Sequence, residues 1–485
     1  MGSLASRLGY CGQRVWGANS FWRKRDTGPA QPALPAGRAG SLISYSSIGW
    51  AVLARVGSES IDTTARASCV FSAVHHDSAA SPLLEPASSG RVLITDGDDR
   101  AALAAARSLV AGGWDVHVTA PSRLSLAGVA RGVRSWALTS DALIAPHDYA
   151  AEVSRLVRTL DIQVVLPISD PSVDAILDHR DVLAANASVP FPSLATHLAA
   201  SDKGRVMEIA RTAGFAVPDT RVIASPAAGE ALLDGGLFPA VIKPHRSVIR
   251  APEGRRKLGV SFVSDVESCR YVLRTLPAGA FPVLLQRRVR GPGEGLFVLR
   301  WGGRLVAVFA HRRLREKPPA GGVSVYRESI APGFRFLRAG LRLLDALEWN
   351  GLAMIECKRD PATGRHVIME VNGRLWGSLQ LAIDAGVDFP LLLARCALGL
   401  PAPAVAKYRV GMCSRWFWGD VDHLYARLRR SAAELHLENG APSRVAVIAD
   451  FLRIRPGRDH CEVWRWLDPA PFLLETGRRL TLASR

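Results

Sequence analysis

Two glutamates and an asparagine in the second half of the chain could together hold a divalent cation. Glu356 and Glu370 stand in two apolar runs on either side of a turn-forming segment, residues 360–364, and this pattern predicts a β-hairpin. In a hairpin centred on residue 363 the two glutamates lie opposite each other, with Cβ atoms about 4.5–5.5 Å apart. Asn372 follows Glu370 by two residues and faces the same side. Two facing carboxylates repel each other without a cation between them, and oxygen ligands suit Mg²⁺.

The residues between these polar positions indicate how the hairpin is placed. Val367, Met369 and Val371 alternate with the polar side chains, so we expect them to point into a core. Arg374 stands one further step along the polar face, where its guanidinium could contact a bound phosphate. The alternative is a surface hairpin with solvated carboxylates, and the apolar alternation argues against it.

Three lysines stand in settings where a point charge could hold phosphate oxygens. Only seven of the 61 basic residues are lysines, and the others are arginines. Lys203 begins a predicted helix, Lys243 ends an apolar strand, and Lys257 lies in a basic loop that contains glycine, residues 250–259. Ammonium groups beside loop N–H groups can bind phosphates. The alternative is that each lysine is a solvated surface charge.

Residues 91–190 alternate between predicted strands and helices, which indicates an open parallel sheet. The strands are expected at 91–95, 116–118 and 163–168, and the helices at 101–111, 149–160 and 173–183. The first turn lacks a G-x-G-x-x-G pattern, so a dinucleotide site is not expected there. Its three acidic residues are expected to be turn and helix-capping residues rather than metal ligands, namely Asp96, Asp98 and Asp99.

Length and composition exclude several classes of protein. A chain of 485 residues predicts several domains, and 48% apolar with 22% charged residues excludes a wholly disordered, collagen-like or disulfide-scaffold protein. The formal net charge of +17 favours anionic partners but does not choose among nucleic acid, a membrane surface and a phosphorylated ligand. Seven scattered cysteines without a C-x-x-C pair predict free thiols, no zinc site and a reducing compartment, the cytoplasm. No apolar run predicts a membrane-spanning helix.

The first ninety residues differ from the rest of the chain. They are rich in Ser, Ala and Gly and show no sustained helical or strand period. We expect residues 1–90 to form a disordered extension. The alternative is a targeting segment, which an Arg- and Ser-rich, acid-poor beginning resembles in composition.

Residues 91–400 resemble ATP-grasp enzymes with their preceding doubly wound domain. The markers are the strand FPAVIKP that contains Lys243, the segment around Gln286, and the run IEC…MEVNGRLWGSLQLAIDAGVDFP. Within the superfamily the chain is most similar to the predicted carboxylate–amine ligase branch, near the carbamoyl-phosphate-synthetase type. The resemblance implies an α/β and α+β protein with a Rossmann-like pre-ATP-grasp domain over 91–190 and a two-lobed ATP-grasp domain over 191–400. Residues 401–485 are expected to form a helical tail that packs on the main body.

The resemblance also implies roles for residues on the nucleotide side. Lys203 and Lys243 would hold the phosphates of ATP, and the loop around Lys257 would close over them. Two main-chain positions would meet adenine, Gln286 and Val289. Glu294 is a candidate for the ribose.

On the reaction side, the resemblance implies that Glu356, Glu370 and Asn372 hold Mg²⁺, with Mn²⁺ as an alternative. Arg374 would steady the γ-phosphate or an acyl phosphate, and Arg313 would lie near a substrate carboxylate.

The implied reaction is ATP-dependent ligation. A carboxylate would be activated as an acyl phosphate and joined to an amine, with release of ADP and phosphate. Two alternatives are a kinase-like ATP-grasp phosphotransferase and a basic nucleic-acid-binding protein with an incidental ATP site. The expected partners are a small-molecule carboxylate and an amine, with no nucleic acid, no membrane span and a second copy of the chain in a homodimer.

Overall fold

The structure is a computed structural model that describes residues 90–230, 235–251, 254–438 and 440–483. The extension predicted over residues 1–90 therefore lies, apart from Gly90, outside the described residues. Within the described residues, no helix combines the length and apolar character that crossing a membrane requires.

The first region is a four-stranded parallel sheet in the order β3-β2-β1-β4. Its strands are β1 (Arg91–Ile94), β2 (Asp115–Ala120), β3 (Ser135–Leu138) and β4 (Val164–Leu166). Its helices are α1 (Arg100–Ala111), α2 (Pro146–Thr159), α3 (Asp170–Asp178) and α4 (Arg180–Ala184). The predicted alternation of strand and helix is confirmed. The sequence did not predict β3, a short edge strand whose Trp136 is 47% exposed, because four residues are too few to show a period.

Helix α1 illustrates how the local sequence forms one of these elements. Its alanine-rich face, from Ala101 to Leu109, is buried. Small side chains on this face let the helix approach the sheet closely. The helix ends at Gly112, and Gly113 adopts a φ of +81° that favours glycine.

The second region is the smaller of two lobes, and its sheet has four antiparallel strands in the order β5-β10-β6-β9. These strands are β5 (Thr220–Ile223), β6 (Ala240–Pro244), β9 (Ser261–Val263) and β10 (Val283–Arg287). A separate hairpin consists of β7 (Val248–Ala251) and β8 (Gly254–Lys257). The helices that accompany these strands are α5 (Leu194–Ser201), α6 (Lys203–Ala213), α7 (Pro226–Glu230) and α8 (Val266–Thr275). One face of the sheet packs on α8 through Ile242 and Leu285.

The larger lobe is a seven-stranded sheet in the order β15-β14-β11-β12-β13-β16-β17. Its strands up to the tail are β11 (Gly293–Trp301), β12 (Arg304–Lys317), β13 (Val323–Ser329), β14 (Gly351–Arg359) and β15 (His366–Asn372). Its helices are α9 (Phe334–Ala346), α10 (Leu379–Ala385) and α11 (Phe389–Ala397). One face packs on α6 and α9 through Leu296 and Ile355, and the other packs on α1, α10 and α11 through Phe297 and Met354. This second face is directed toward the parallel sheet.

The tail is less helical than the sequence predicts. Besides α12 (Phe417–Arg429), α13 (Arg444–Leu452) and α14 (Ala470–Ala483), it contributes β16 (Cys413–Arg415) and β17 (Asp459–Cys461) to the larger sheet. Strands of three residues are too short to show a period in the sequence. The tail packs on the main body as expected, since Arg107 pairs with Asp468 at 2.8 Å.

Candidate functional site

The hairpin of β14 and β15 brings the predicted metal-binding residues together. Glu356 is paired with Glu370 across the two strands, and Met354 is paired with Asn372. Asn372 Nδ2 donates a hydrogen bond to Glu370 Oε1 at 3.1 Å. The predicted hairpin and the opposition of the two glutamates are confirmed.

One residue of β15 departs from the predicted alternation. The register changes after the glutamate pair, because Cys357 is paired with Ile368 and Met369 has no opposite residue. Ile368 and Val371 are buried in the core with α6 and α9, but Met369 is only half-buried. The expectation that Met369 points into the core is wrong, because this bulge turns its side chain aside. Its sulfur lies 3.9 Å from Lys243 Nζ instead.

Basic side chains surround both carboxylates. Arg313 Nη2 lies 2.6 Å from Glu356 Oε2, and Lys203 Nζ lies 3.6 Å from Glu370 Oε2. Burial raises the pKa of Glu356 against the effect of Arg313, and the negative charge of Glu370 adds to the increase. Burial also raises the pKa of Glu370. The charge of Lys203, the hydrogen bond from Asn372 and the charge of Lys243 outweigh this effect, so the pKa of Glu370 is lowered. The pKa values of the two facing carboxylates are therefore shifted in opposite directions.

The two lysines predicted to hold phosphates lie on either side of Glu370. Lys203 is the first residue of α6, and its Nζ donates to Ser247 Oγ at 3.2 Å. Lys243 is buried on β6. Burial lowers the pKa of Lys243 to about 8, although the charge of Glu370 acts in the opposite direction. An anionic ligand beside Lys243 would relieve the cost of burying its ammonium group.

The face of the smaller sheet that carries Lys243 suits a flat base. Leu284 is paired with Lys243 and Gln286 with Val241, so these four side chains share the face turned away from α8. Gln286 Nε2 donates to Thr220 Oγ1 at 3.0 Å, and its buried Oε1 has no hydrogen-bond partner in the described structure. An apolar floor with one unused acceptor fits a purine that carries an amino group.

A cleft of about 370 Å³ lies beside Lys203, one of the residues predicted to hold phosphates. Lys203, Glu370 and Asn372 contribute to its wall. The hairpin of β7 and β8 forms part of another wall through Val248, Ile249 and Arg255. Lys257 is exposed at the end of β8, so the predicted lid residue lies on an element that borders this cleft.

The structure does not bring Glu294 to the other predicted residues. It is paired with Cys357 and Arg312, and it therefore shares the face of the larger sheet that packs on α6 and α9. Both of its oxygens are used there, by Arg312 Nε at 2.9 Å and His366 Nε2 at 2.8 Å. Glu294 acts in this structure as a buried packing partner, so we leave it out of the proposed site.

The segment after β10 is covered by the tail. Val289 is half-buried there, and the neighbouring Arg288 donates to the carbonyl oxygen of His436 at 2.6 Å. The His436 ring stacks on Phe262 with centroids 5.9 Å apart, and Glu438 accepts a hydrogen bond from Gly291 N at 3.2 Å. No local pattern predicts these contacts, because they join residues more than a hundred positions apart.

Arg374 links the larger lobe to the parallel sheet. Its Nε donates to Asp170 Oδ1 at 2.6 Å, at the beginning of α3. Although burial raises the pKa of Asp170, Arg374 lowers it to about 2. Asp170 follows the carboxyl end of β4, and ligands of open parallel sheets bind at that edge.

Arg313 belongs to a second set of contacts that the sequence did not reveal. It also binds Glu316 at 3.1 Å and is paired with Arg327 of β13. Arg327 binds Glu462 of the tail, and Glu462 also accepts a hydrogen bond from Arg100 Nη1 at 2.5 Å. These contacts connect the carboxylate pair to the first turn of α1.

Within the described residues, no three side chains of His, Cys, Asp or Glu are grouped as a metal site. The donor set consists instead of two carboxylates and one amide. This set fits a hard cation such as Mg²⁺, which usually completes its coordination with phosphate oxygens and water.

Comparison with known proteins identifies the fold of the chain. Neither a family model nor a curated protein matches the sequence. Solved structures do match the fold, and one is an L-amino acid ligase from Bacillus licheniformis with 16% identity and a TM-score of 0.51. That match covers 64% of this chain and 75% of the ligase. The chain has the ATP-grasp fold.

Two further structures with the ATP-grasp fold are similar to a comparable extent. A biotin carboxylase from Campylobacter jejuni, solved as a β,γ-ATP complex, has 14% identity and a TM-score of 0.52, over 66% of this chain and 74% of the carboxylase. An N5-carboxyaminoimidazole ribonucleotide synthetase from Thermus thermophilus has 18% identity and a TM-score of 0.50, over 66% of this chain and 82% of the synthetase. The predicted fold class is confirmed.

Proposed function

We propose that the protein is an ATP-dependent ligase that activates a carboxylate as an acyl phosphate and joins it to an amine. The observation that carries the proposal is the pairing of Glu356 with Glu370 across the hairpin, beside Asn372 and Lys203. The solved structures with this fold include an L-amino acid ligase, which supports a reaction of the same type.

The two lobes divide the binding of ATP between them. Gln286 and its apolar neighbours would receive the adenine, with the main chain of Val289 beside it. Lys203 and Lys243 would bind the phosphates, and Lys257 would cover them from the hairpin of β7 and β8. Glu356, Glu370 and Asn372 would hold Mg²⁺, which neutralises phosphate charge when it is bound.

The reaction then consists of two transfers. A carboxylate oxygen of the first substrate attacks the γ-phosphorus, ADP leaves, and an acyl phosphate forms. The amine nitrogen of the second substrate attacks the acyl carbon, and phosphate leaves with the electron pair of the broken C–O bond. Arg374 and Arg313 would stabilise the developing negative charge, so the protein acts mainly by positioning and electrostatics.

The location that we propose is the cytoplasm. The five cysteines within the described residues are all free thiols. Free thiols are typical of a reducing compartment.

The test combines nucleotide binding with product analysis on the full chain. The melting temperature is measured with and without a non-hydrolysable ATP analogue and Mg²⁺, because a ligand that binds only the folded state must raise it. Wild type is then incubated with ATP, Mg²⁺, hydroxylamine and a panel of carboxylates. We expect a thermal shift, release of ADP and phosphate, and a hydroxamate from at least one carboxylate.

Glu370→Ala is the decisive variant. We expect it to fold, to lose most of the thermal shift, and to form hydroxamate at least about 100-fold more slowly. The matched control is Glu328→Ala, which removes a carboxylate of the same sheet that binds Arg458 at 2.8 Å, outside the site. Turnover of Glu370→Ala near the wild-type rate would contradict the metal assignment. ADP release with the phosphoryl group retained on the product would indicate a kinase instead.

A further inference from the structure

Three aspartates follow β1, at the edge of the parallel sheet that faces the larger lobe, and they differ in how their side chains are used. Asp96 accepts hydrogen bonds from Ser169 Oγ at 2.9 Å and from Ser172 Oγ at 2.6 Å. Asp98 binds Arg478 at 2.7 Å and Ser122 Oγ at 2.9 Å. The side chains of Asp96 and Asp98 therefore both bind neighbouring side chains of the protein.

Asp99 is different, because its carboxylate has no hydrogen bond or ion pair to any described residue. It occupies the position before helix α1, where an aspartate usually accepts a hydrogen bond from the helix backbone, but it makes no such bond. The capping role expected from the sequence is therefore absent. A carboxylate left without a partner beside a predicted active site is available to a ligand.

Two properties of Asp99 suit a group that meets a ligand. Its side chain is accessible to solvent. Enough protein surrounds it, however, that burial, together with repulsion from Asp96, raises its pKa to about 6. An accessible carboxylate with a raised pKa can both meet a ligand and accept a proton near neutral pH.

Charged groups from four elements face this carboxylate. They are Asp96 of the same turn, Arg100 of α1, Arg374 from the loop after β15, and Lys257 of the β7–β8 hairpin. Arg374, which is paired with Asp170 at 2.6 Å, is also attracted by the charges of Glu370 and Asp99. Asp99 is therefore near Arg374, beside which the proposed reaction leaves an acyl phosphate.

Three contacts of the neighbouring Arg100 side chain hold this turn in place. The adjacent Arg100 is fixed by Glu462, and its guanidinium lies 3.9 Å from the ring centroid of Trp416. Its Nη2 also approaches Gly377, where an added Cβ would lie 3.1 Å away. The loop that follows the metal-binding strand is thus packed directly on the turn that carries Asp99.

We propose that Asp99 binds the ammonium group of the amine substrate and accepts one of its protons before the amine attacks the acyl phosphate. The inference rests on the proposed ligase function and adds the amine-binding residue to it. Asp99 takes a proton from R–NH₃⁺, and the freed nitrogen lone pair forms the new N–C bond. The C–O bond to phosphate breaks, phosphate leaves with its electrons, and the nitrogen releases its second proton to water. The second substrate is accordingly a primary amine that is cationic in solution.

The experiment compares two nucleophiles in the full chain at neutral pH. Hydroxylamine is uncharged there and needs no deprotonation before it attacks, whereas methylamine and the L-amino acids are ammonium ions. A carboxylate that gives hydroxamate with wild type is used with both kinds of nucleophile, and the ratio of amide to hydroxamate is measured. In Asp99→Asn we expect this ratio to fall at least about 100-fold, the usual contribution of a general base.

Two further variants separate this role from a structural one. Asp98→Asn alters the neighbouring carboxylate and should keep the wild-type ratio. Asp99→Glu should restore part of the amide formation, because it supplies a carboxylate again. In wild type and in Asp98→Asn, amide formation should also fall as the pH drops through about 6, since protonated Asp99 cannot accept a proton.

Several outcomes would overturn the inference. An unchanged ratio in Asp99→Asn would do so, and so would equal loss of amide and hydroxamate in a variant with the wild-type melting temperature. If the wild type forms hydroxamate but couples none of the ammonium nucleophiles, the second substrate is not a cationic amine. Absence of hydroxamate with every carboxylate would remove the proposed ligase function itself, and the inference with it.

Discussion

The two lobes face one cleft, but they hold their charged groups differently. In the larger lobe, Glu356 lies 2.6 Å from an Arg313 nitrogen, and Glu370 accepts a hydrogen bond from Asn372 at 3.1 Å. In the smaller lobe, Lys243 has a contact of 3.9 Å with the sulfur of Met369, and Gln286 keeps a buried oxygen without a donor in the described structure. The carboxylates of the larger lobe thus have partners within the protein, whereas the smaller lobe keeps polar groups that a ligand could use.

The difference has a physical cause. Two facing carboxylates repel each other strongly, so their strands form only if cations from the same fold offset the repulsion. A single buried ammonium is tolerated at a lower cost, because its pKa falls and it can lose its proton. Lys243 shows this effect, since burial lowers its pKa to about 8. Stability is therefore built into one lobe, and affinity for an anionic ligand into the other.

The largest effect on stability is expected from Arg313→Met. The substitution leaves Glu356 and Glu316 buried without their shared cation, and breaking such a pair costs about 3 kcal/mol. Urea unfolding measures the change in the free energy of unfolding. The control is Arg458→Met, which removes an exposed ion pair with Glu328 and should cost less than about 1 kcal/mol. If both variants lost the same free energy of unfolding, the ion pairs of Arg313 would stabilise the larger lobe no more than an exposed ion pair does.

Lys243→Met should change binding rather than stability. The new side chain is apolar and lies beside Met369, so we expect the free energy of unfolding without ligand to stay within about 1 kcal/mol of wild type. The increase in melting temperature with the ATP analogue and Mg²⁺ should disappear, because the buried phosphate-binding charge is gone. Thermal unfolding with and without the analogue measures both. Destabilisation as large as that of Arg313→Met would show that Lys243 is equally well paired inside the protein.

The smallest effect is expected from Lys257→Ala. This ammonium group is exposed on β8, so its attraction for a phosphate is screened by water and salt. Affinity for the nucleotide should fall about threefold, and added salt should shrink the difference. Calorimetric titration of wild type and variant with the nucleotide at two salt concentrations measures this difference in affinity. Arg256→Ala is the matched control, since the preceding side chain of the strand points to the opposite face. A loss beyond about 100-fold would mean that the hairpin encloses Lys257 completely around the bound nucleotide.

Several features of the site could be predicted because they depend on residues close in sequence. The turn at residues 360–364 and the alternation of polar and apolar side chains place Glu356 opposite Glu370, and neither depends on distant parts of the chain. The alternation of apolar strands and helices over residues 91–190 likewise determined a parallel sheet. The positions of Lys203 at a helix start and Lys243 on a buried strand follow from the same local patterns.

Other features depend on how distant segments meet. Glu294 lies on the far face because of the register between β11 and β14, and Met369 turns aside because of a bulge that the register requires. The alternation of side chains along a strand defines two faces, but it does not determine which face meets a ligand.

The amine-side arrangement is also a product of the tertiary structure. Arg100 reaches Glu462 across 362 positions, and Arg374 reaches Asp170 across 204. The sequence by itself determined the hairpin of carboxylates, the succession of strands and helices in the first region, and the settings of Lys203 and Lys243 at a helix start and on a buried strand. Only the packing of the lobes and the tail decided that Asp96 and Asp98 are used by the fold while Asp99 has no partner among the described residues. The physical reason is that a carboxylate's partners depend on which distant side chains the core brings near it.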